Sequence, residues 1–222
     1  LGETKGKTPY DALLDQYEPG GSSAEIDTLF EGVTAFLPDL VGRVLTRQAE
    51  APTPVTPDGP FPVTTQKEIG LRVMQAMGFD FENGRLDVSA HPFCGGHSDD
   101  VRITTRYTAE DFAQSLMGII HETGHALYER GLPAAYRGQP VGRARSMGVH
   151  ESQSILMEMQ ACRSDEFMGF VTPLVREAFG RQGPAWTDEN LKRIYRRVTR
   201  GLIRVDADEV TILKRMTVRD AV

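Results

Sequence analysis

The 222 residues suffice to bury a full core, and a composition of 40% hydrophobic and 25% charged residues is that of an ordinary globular protein. A formal net charge of −6 argues against a nucleic-acid surface, and no apolar run approaches the ~18 residues of a membrane span. Two cysteines, Cys94 and Cys162, make no disulfide framework. With no basic-then-apolar leader at the start, the chain reads as a protein of the reducing cytoplasm.

Tyr10, Leu13, Leu14 and Tyr17 give residues 8–18 one apolar side, as in a short helix or turn, and Pro19-Gly20-Gly21 breaks it. Ser22 and Glu25 form a capping box. The helix they open places Ile26, Leu29, Phe30, Val33, Leu37, Leu40 and Val41 at helical period. Pro38 should kink or divide it. Five prolines over 51–62 make a stiff loop. That loop fits a boundary after an N-terminal helical arm (1–50), or a crossover inside one domain. The shortness of the arm favours one domain over 1–222.

Thr64 or Thr65 caps a helix over 66–77. Asn83-Gly84 between short alternating runs signals a hairpin, and residues 101–105 alternate likewise. A small antiparallel sheet is therefore expected before the next helix. Thr108 opens that helix with Asp111 as capping-box partner. Phe112, Leu116, Ile119, Ile120 and Leu127 recur along it, and Gly131 and Pro133 end it. After a polar loop over 134–145, a second long helix spans about 147–169. A short one follows over 172–179, with Thr172 as cap and Pro173 at its first position. A last helix runs from Thr187 to about residue 200. The fold class is mainly α with a small antiparallel sheet.

The central helix carries His121-Glu122-Thr123-Gly124-His125, a match to H-E-x-x-H. Four helical residues turn through about 400° and rise about 6 Å, so both imidazoles share one face and can bind one metal. Glu122 lies about 100° round, where a base could take a proton from a metal-bound water. A zinc hydrolase needs three protein ligands and an open position. The other histidines are His91, His97 and His150. Glu151, at the start of the second long helix, could set a carboxylate beside the imidazoles and complete a His2Glu set. His150 points away from it, either orienting a ligand or contacting substrate, or simply packed. Glu158, two turns on, supports a ligand histidine or is a solvent carboxylate. His97, in Gly95-Gly96-His97, reads as solvated, and Cys94 as an ordinary free thiol.

The H-E-x-x-H segment followed by His150-Glu151-Ser152-Gln153 resembles the M32 metallocarboxypeptidases, the Taq carboxypeptidase group. His91-Pro92-Phe93 is similar to the family's H-P-F. Asp100-Val101-Arg102-Ile103-Thr104 is similar to D-x-R-x-T, and residues 203–208, IRVDAD, to [IV]-R-x-x-A-D. The early PYDALLDQYEPG also resembles the family. The resemblance runs from about residue 8 to about 211. It implies a zincin-like helical metallopeptidase, one catalytic domain that releases C-terminal amino acids from peptides. His121, His125 and Glu151 would hold Zn2+, for which Co2+ often substitutes. Glu122 would be the general base. Arg102 and Arg204 would hold the free C-terminal carboxylate, as a bidentate guanidinium can. His91 would shape the groove or pack its loop. A cytoplasmic homodimer is the implied setting, with no nucleic-acid or membrane partner.

The family's last signature, G-x-x-Q-D-x-H-W, does not occur among these residues. Two further readings stand beside the carboxypeptidase: an open-groove oligopeptidase or endopeptidase, and a truncated zinc-binding module without activity.

Overall fold

The computed structural model describes residues 2–199. Arg204 and the 203–208 stretch lie outside the described residues. The chain divides into two compact units: Pro54–Tyr195 is one, and the residues before Pro54 with those after Tyr195 make the other.

Among the described residues the N-terminal unit holds three helices: α1 (Gly2–Lys5), α2 (Pro9–Leu14) and α3 (Ser23–Glu50). Thr8 caps α2. Ser22 and Glu25 make the expected capping box on α3. Asp11 joins the helices by accepting from the Ser23 N–H at 2.8 Å. Pro38 does not divide α3, which is continuous across it; a single lost backbone bond is tolerated in a helix this long. Of its apolar positions only Leu37 and Val41 are buried. Gln48 closes the unit, pairing with both backbone groups of Val198 at 2.9 and 3.0 Å.

The second unit is built around α5 (Phe112–Gly131), the H-E-x-x-H helix. Its N-cap is Asp111, whose carboxylate accepts from the N–H groups of Ala113 and Gln114. Thr108 instead accepts from the Asp111 N–H, so the expected capping box is replaced by an Asp cap one turn later. Helix α4 (Val63–Ala76) begins at Pro62 without a side-chain cap, earlier than Thr64 or Thr65 would set it. Its buried Gln66 donates to the carbonyls of Phe61 and Thr108 and accepts from Ser115. That glutamine ties the Pro-rich loop to the start of α5.

The sheet is mixed rather than antiparallel. β1 (Gly84–Val88) runs parallel to β3 (Asp100–Thr105), and β2 (Phe93–His97) pairs with β3 antiparallel, in the order β1-β3-β2. Asn83-Gly84 makes no hairpin. Asp80 caps a single 3-10 turn over Phe81–Asn83, and β1 starts directly after it. Glycine is needed at 84 for close approach: a Cβ there would stand 2.5 Å from the Val101 carbonyl oxygen and 2.6 Å from the Phe79 ring. The true hairpin joins β2 to β3, where Gly96 has φ of 108°.

Two cores flank α5. Ile119 and Ala126 pack with Val101 and Ile103 of the sheet and with Met74, Phe79 and Leu86. Phe112, Leu116 and Ile120 pack with Phe61, Ile69, Val73, Trp186 and the apolar face of α7 (Asp165–Phe179). The remaining face meets α6 (Met147–Ile155).

The expected helix over 147–169 is interrupted. After α6 the chain widens into a π turn over Leu156–Gln160 and tightens into a 3-10 turn over Ala161–Arg163. Ser164 then caps α7, which runs through Pro173. Thr172 is therefore buried mid-helix and caps nothing. Thr187 accepts from the Asn190 N–H and starts α8 (Asp188–Tyr195) as expected.

Gly124 sets the distance between α5 and α6. A Cβ there would lie 2.7 Å from Ser154 Cα and 2.9 Å from the Gln153 carbonyl oxygen. Backbone cannot give way as a side chain does, so Gly124→Ala should cost about 1–3 kcal/mol. Gly131→Ala on the same helix meets nothing within 4 Å and should be neutral or stabilising. Thermal denaturation of the two variants checks the pair.

Candidate metal centre

Helix α5 presents His121 and His125 one turn apart, on the face that meets α6. Ser146 caps α6 by accepting from the Val149 N–H at 2.9 Å, which places Glu151 in the second turn. One donor atom from each of His121, His125 and Glu151 lies within 4.8 Å of the others. Glu151 Oε1 is 3.7 Å from His121 Nε2, and Oε2 is 3.4 Å from His125 Nε2. These separations are long for charge-assisted hydrogen bonds. Ligands at about 2.0–2.2 Å around a tetrahedral zinc stand roughly 3.3 Å apart, so the spacing suits a shared cation better than direct contact. The side chains of His121 and His125 are 22% and 12% exposed against 47% for Glu151. The site is thus walled by α5 and opens on the α6 side.

The other ring nitrogens point into the protein. Nδ1 of His121 is 2.9 Å from Glu158 Oε2. Glu158 is mostly buried and lies 4.0 Å from Arg163 through its other oxygen, so it is not a solvent carboxylate. Nδ1 of His125 is 3.1 Å from the His150 carbonyl oxygen. Each Nδ1 thus faces an acceptor, and each Nε2 keeps its lone pair for the cluster.

Burial of Glu122, the largest influence on it, pushes its carboxyl above the usual carboxylate range. The His121 and His125 imidazoles oppose that, while Glu151 and Glu158 reinforce it. Burial works to lower His121, but the hydrogen bond and charge of Glu158, with Glu151 and Glu122, leave it raised. Cys94 on β2 is pushed up to about 12 by burial and by the charges of Glu122 and Glu129. At neutral pH it is therefore a thiol, and it is not among the three converging donors.

The remaining sequence candidates are scattered. His150 is adjacent to the cluster, with both ring nitrogens facing protein groups: Nε2 is 2.9 Å from Glu129 Oε1 and Nδ1 is 2.7 Å from His125 Nδ1. Arg102 leaves β3 on the face opposite the one packed on α5, since Val101 and Ile103 point to the core. Asp100 grips it through Nε and Nη2. His91 is exposed. Its carbonyl accepts from the Thr104 hydroxyl, which also accepts from the Phe93 N–H. The H-P-F and D-x-R-x-T stretches are thereby fastened together. Glu129 is a neighbour that the sequence does not single out. Its only signal is a spacing of four residues from His125, which repeats the metal-facing step one turn on.

An H-E-x-x-H helix with a carboxylate from the next helix, on a mainly helical frame with a small mixed sheet, has the architecture of the zincin-like metallopeptidases. Residues 1–219 match the family model described as carboxypeptidase Taq (M32) metallopeptidase, and the chain belongs to that family. It is 43% identical over 211 residues to "Thermostable carboxypeptidase 1" of Thermus thermophilus, covering 95% of this chain and 41% of that protein. It is 38% identical to "Carboxypeptidase 1" of Bacillus subtilis, covering 91% and 40%. Among solved structures, metallocarboxypeptidase 1 of Trypanosoma cruzi superposes with a TM-score of 0.93 at 49% identity, covering 97% of this chain and 45% of that one. The M32 carboxypeptidase of Deinococcus radiodurans gives 0.84 at 38% identity, covering 92% and 41%. The chain thus spans about two-fifths of the length of the curated relatives it matches.

Metal uptake requires protonated His121 to shed its Nε2 proton, and Glu158, bonded to Nδ1, stabilises the imidazolium so that its pKa lies above the usual histidine value of about 6.5. Zinc affinity should fall as pH drops through this raised value. Glu158→Gln removes the raising charge, so the midpoint should move to lower pH. Zinc dissociation constants measured by chelator competition across pH check both shifts.

Proposed function

We propose that this chain carries the metal-binding half of a zinc carboxypeptidase and that His121, His125 and Glu151 hold the ion. The convergence of their three donor atoms beside a buried Glu122 supports this most directly. The names of its relatives supply the reaction class.

When bound, zinc would polarise the scissile carbonyl and make a nearby water more acidic. Glu122 accepts the proton of the attacking water. Its raised pKa brings it nearer to the working pH of a base and makes it a competent acid for the next step, protonation of the leaving amine. The flanking imidazoles keep the carboxylate form accessible against burial. Cobalt would serve in place of zinc on the same donors.

For recognition of the substrate's free carboxylate, the resemblance favours Arg102 and Arg204. Arg102 is held in one orientation by Asp100, and among the described residues its Nη1 has no hydrogen-bond partner. Its position on the far sheet face favours a second reading, an open-groove oligopeptidase in which Arg102 takes no part in catalysis.

Purified protein with zinc should shorten peptides stepwise from free C-termini and leave amidated peptides intact, as followed by mass. Glu122→Gln should lower kcat by about 10²–10⁴-fold with zinc retained. Zinc binding without cleavage of any peptide would overturn the peptidase reading for this chain. Internal cuts in both substrates, unaffected by Arg102→Ala, would establish the open groove instead.

A further inference from the structure

Helix α5 carries one carboxylate that the proposed chemistry does not use. Glu129 sits one turn past His125, and its Oε1 is 2.9 Å from Nε2 of His150. Nδ1 of His150 faces Nδ1 of His125 at 2.7 Å. The carbonyl of His150 is 3.1 Å from that same His125 nitrogen. The Tyr128 ring stands edge-on to His150 at 5.1 Å. The side chains of His150 and Glu129 are 15% and 30% exposed, so these contacts face little competition from water.

A contact between two imidazole nitrogens needs one N–H and one lone pair. A carboxylate only accepts, so a His150 ring that carries one proton carries it on Nε2, facing Glu129. That leaves a lone pair on His150 Nδ1. The His150 carbonyl also only accepts, so it requires the His125 proton on Nδ1. The two requirements agree: His125 donates from Nδ1, and its Nε2 lone pair is aimed at Glu151 Oε2, 3.4 Å away.

We propose that Glu129 and His150 are positioning residues, a relay that fixes the tautomer and ring orientation of His125 so that Nε2 is offered to a divalent cation. The inference rests on reading His125 as a metal donor. It gives His150 a role in place of substrate contact. Glu158 does the same for His121 directly. On the His125 side the chain is one imidazole longer, and residue 150 supplies both acceptors for the Nδ1 proton. Without Glu129, His150 is free to carry its proton on Nδ1, where it opposes the N–H of His125.

Two-bond proton–nitrogen correlation spectra of the full chain, labelled on histidine nitrogens, read the tautomers. His121 and His125 should appear as Nδ1–H and His150 as Nε2–H. Glu129→Leu should give His150 a mixed pattern and weaken zinc binding about 10–100-fold, with His121 unchanged as the internal measure of an intact fold. In Glu129→Gln the amide oxygen still accepts from Nε2–H, so the His150 pattern should persist and zinc affinity stay within about threefold. His150 as Nδ1–H in the unmodified protein would overturn the relay. So would zinc affinity in Glu129→Leu equal to that of the parent with the His121 signal preserved. If the leucine variant does not fold, the parent tautomers and the glutamine variant still decide. Failure of the parent to bind zinc would overturn the proposed function while leaving the tautomer result readable; a wrong tautomer with zinc bound sinks the relay alone.

Discussion

The whole site depends on how closely α5 and α6 approach, and that distance is set where backbone meets backbone. Gly124 lies against the main chain of Gln153 and Ser154. Ser154 is fully buried there, its hydroxyl turned back to the Glu151 carbonyl at 2.7 Å. One methyl group at 124 would push α6 outward and carry Glu151 with it. The second variable position of the H-E-x-x-H motif is therefore as constrained as the histidines here, for a packing reason rather than a chemical one. Thr123, the first variable position, is also fully buried and returns its hydroxyl to the Ile119 carbonyl at 2.6 Å. Close packing on this side and two apolar cores on the others hold α5 from every direction except the one that faces the donors.

Within that frame the electrostatics follow from crowding. Four carboxylates, Glu122, Glu129, Glu151 and Glu158, surround the imidazoles of His121, His125 and His150. Carboxylates gathered out of water raise each other's pKa and must be matched by protons or cations. Glu158 and Glu129 meet the need by hydrogen bonds from imidazoles, and Arg163 stands behind Glu158. Glu151 remains half exposed, facing the two Nε2 atoms. Glu122 is buried and raised. Glu129 and Glu158 thus face imidazole nitrogens directed into the protein, while Glu151 and Glu122 lie on the side where the two Nε2 atoms converge.

The sequence made the donors legible because their spacing is a property of helices. His121 and His125 fall on one face whatever the rest of the chain does, and a capped helix beginning at residue 147 was enough to carry Glu151 to them. The sheet was less legible. Asn83-Gly84 has the local chemistry of a hairpin, yet its glycine answers to a carbonyl and a ring that arrive from elsewhere in the chain. A parallel partner for β1 cannot be read from the β1 residues. Arg102 shows the same limit at the level of a side chain. Strand alternation puts it opposite Val101 and Ile103, but which face meets α5 depends on a core assembled from four separate segments.

The break in the helix that starts at 147 lies where local propensity is least informative. Leu156, Met157, Glu158, Met159 and Gln160 all favour a regular helix, and nothing among them announces a π turn. In an uninterrupted α-helix Glu151 and Glu158 would lie about 10.5 Å apart along the axis on nearly the same face. Both approach the same His121 ring, one at each nitrogen. A wider turn changes the direction in which Glu158 leaves the backbone, and the 3-10 turn that follows brings Arg163 to its other oxygen. Irregular helix is thus found where one imidazole needs a carboxylate on both sides. Long-range geometry overrides propensity there, and π turns occur often at functional sites for the same reason.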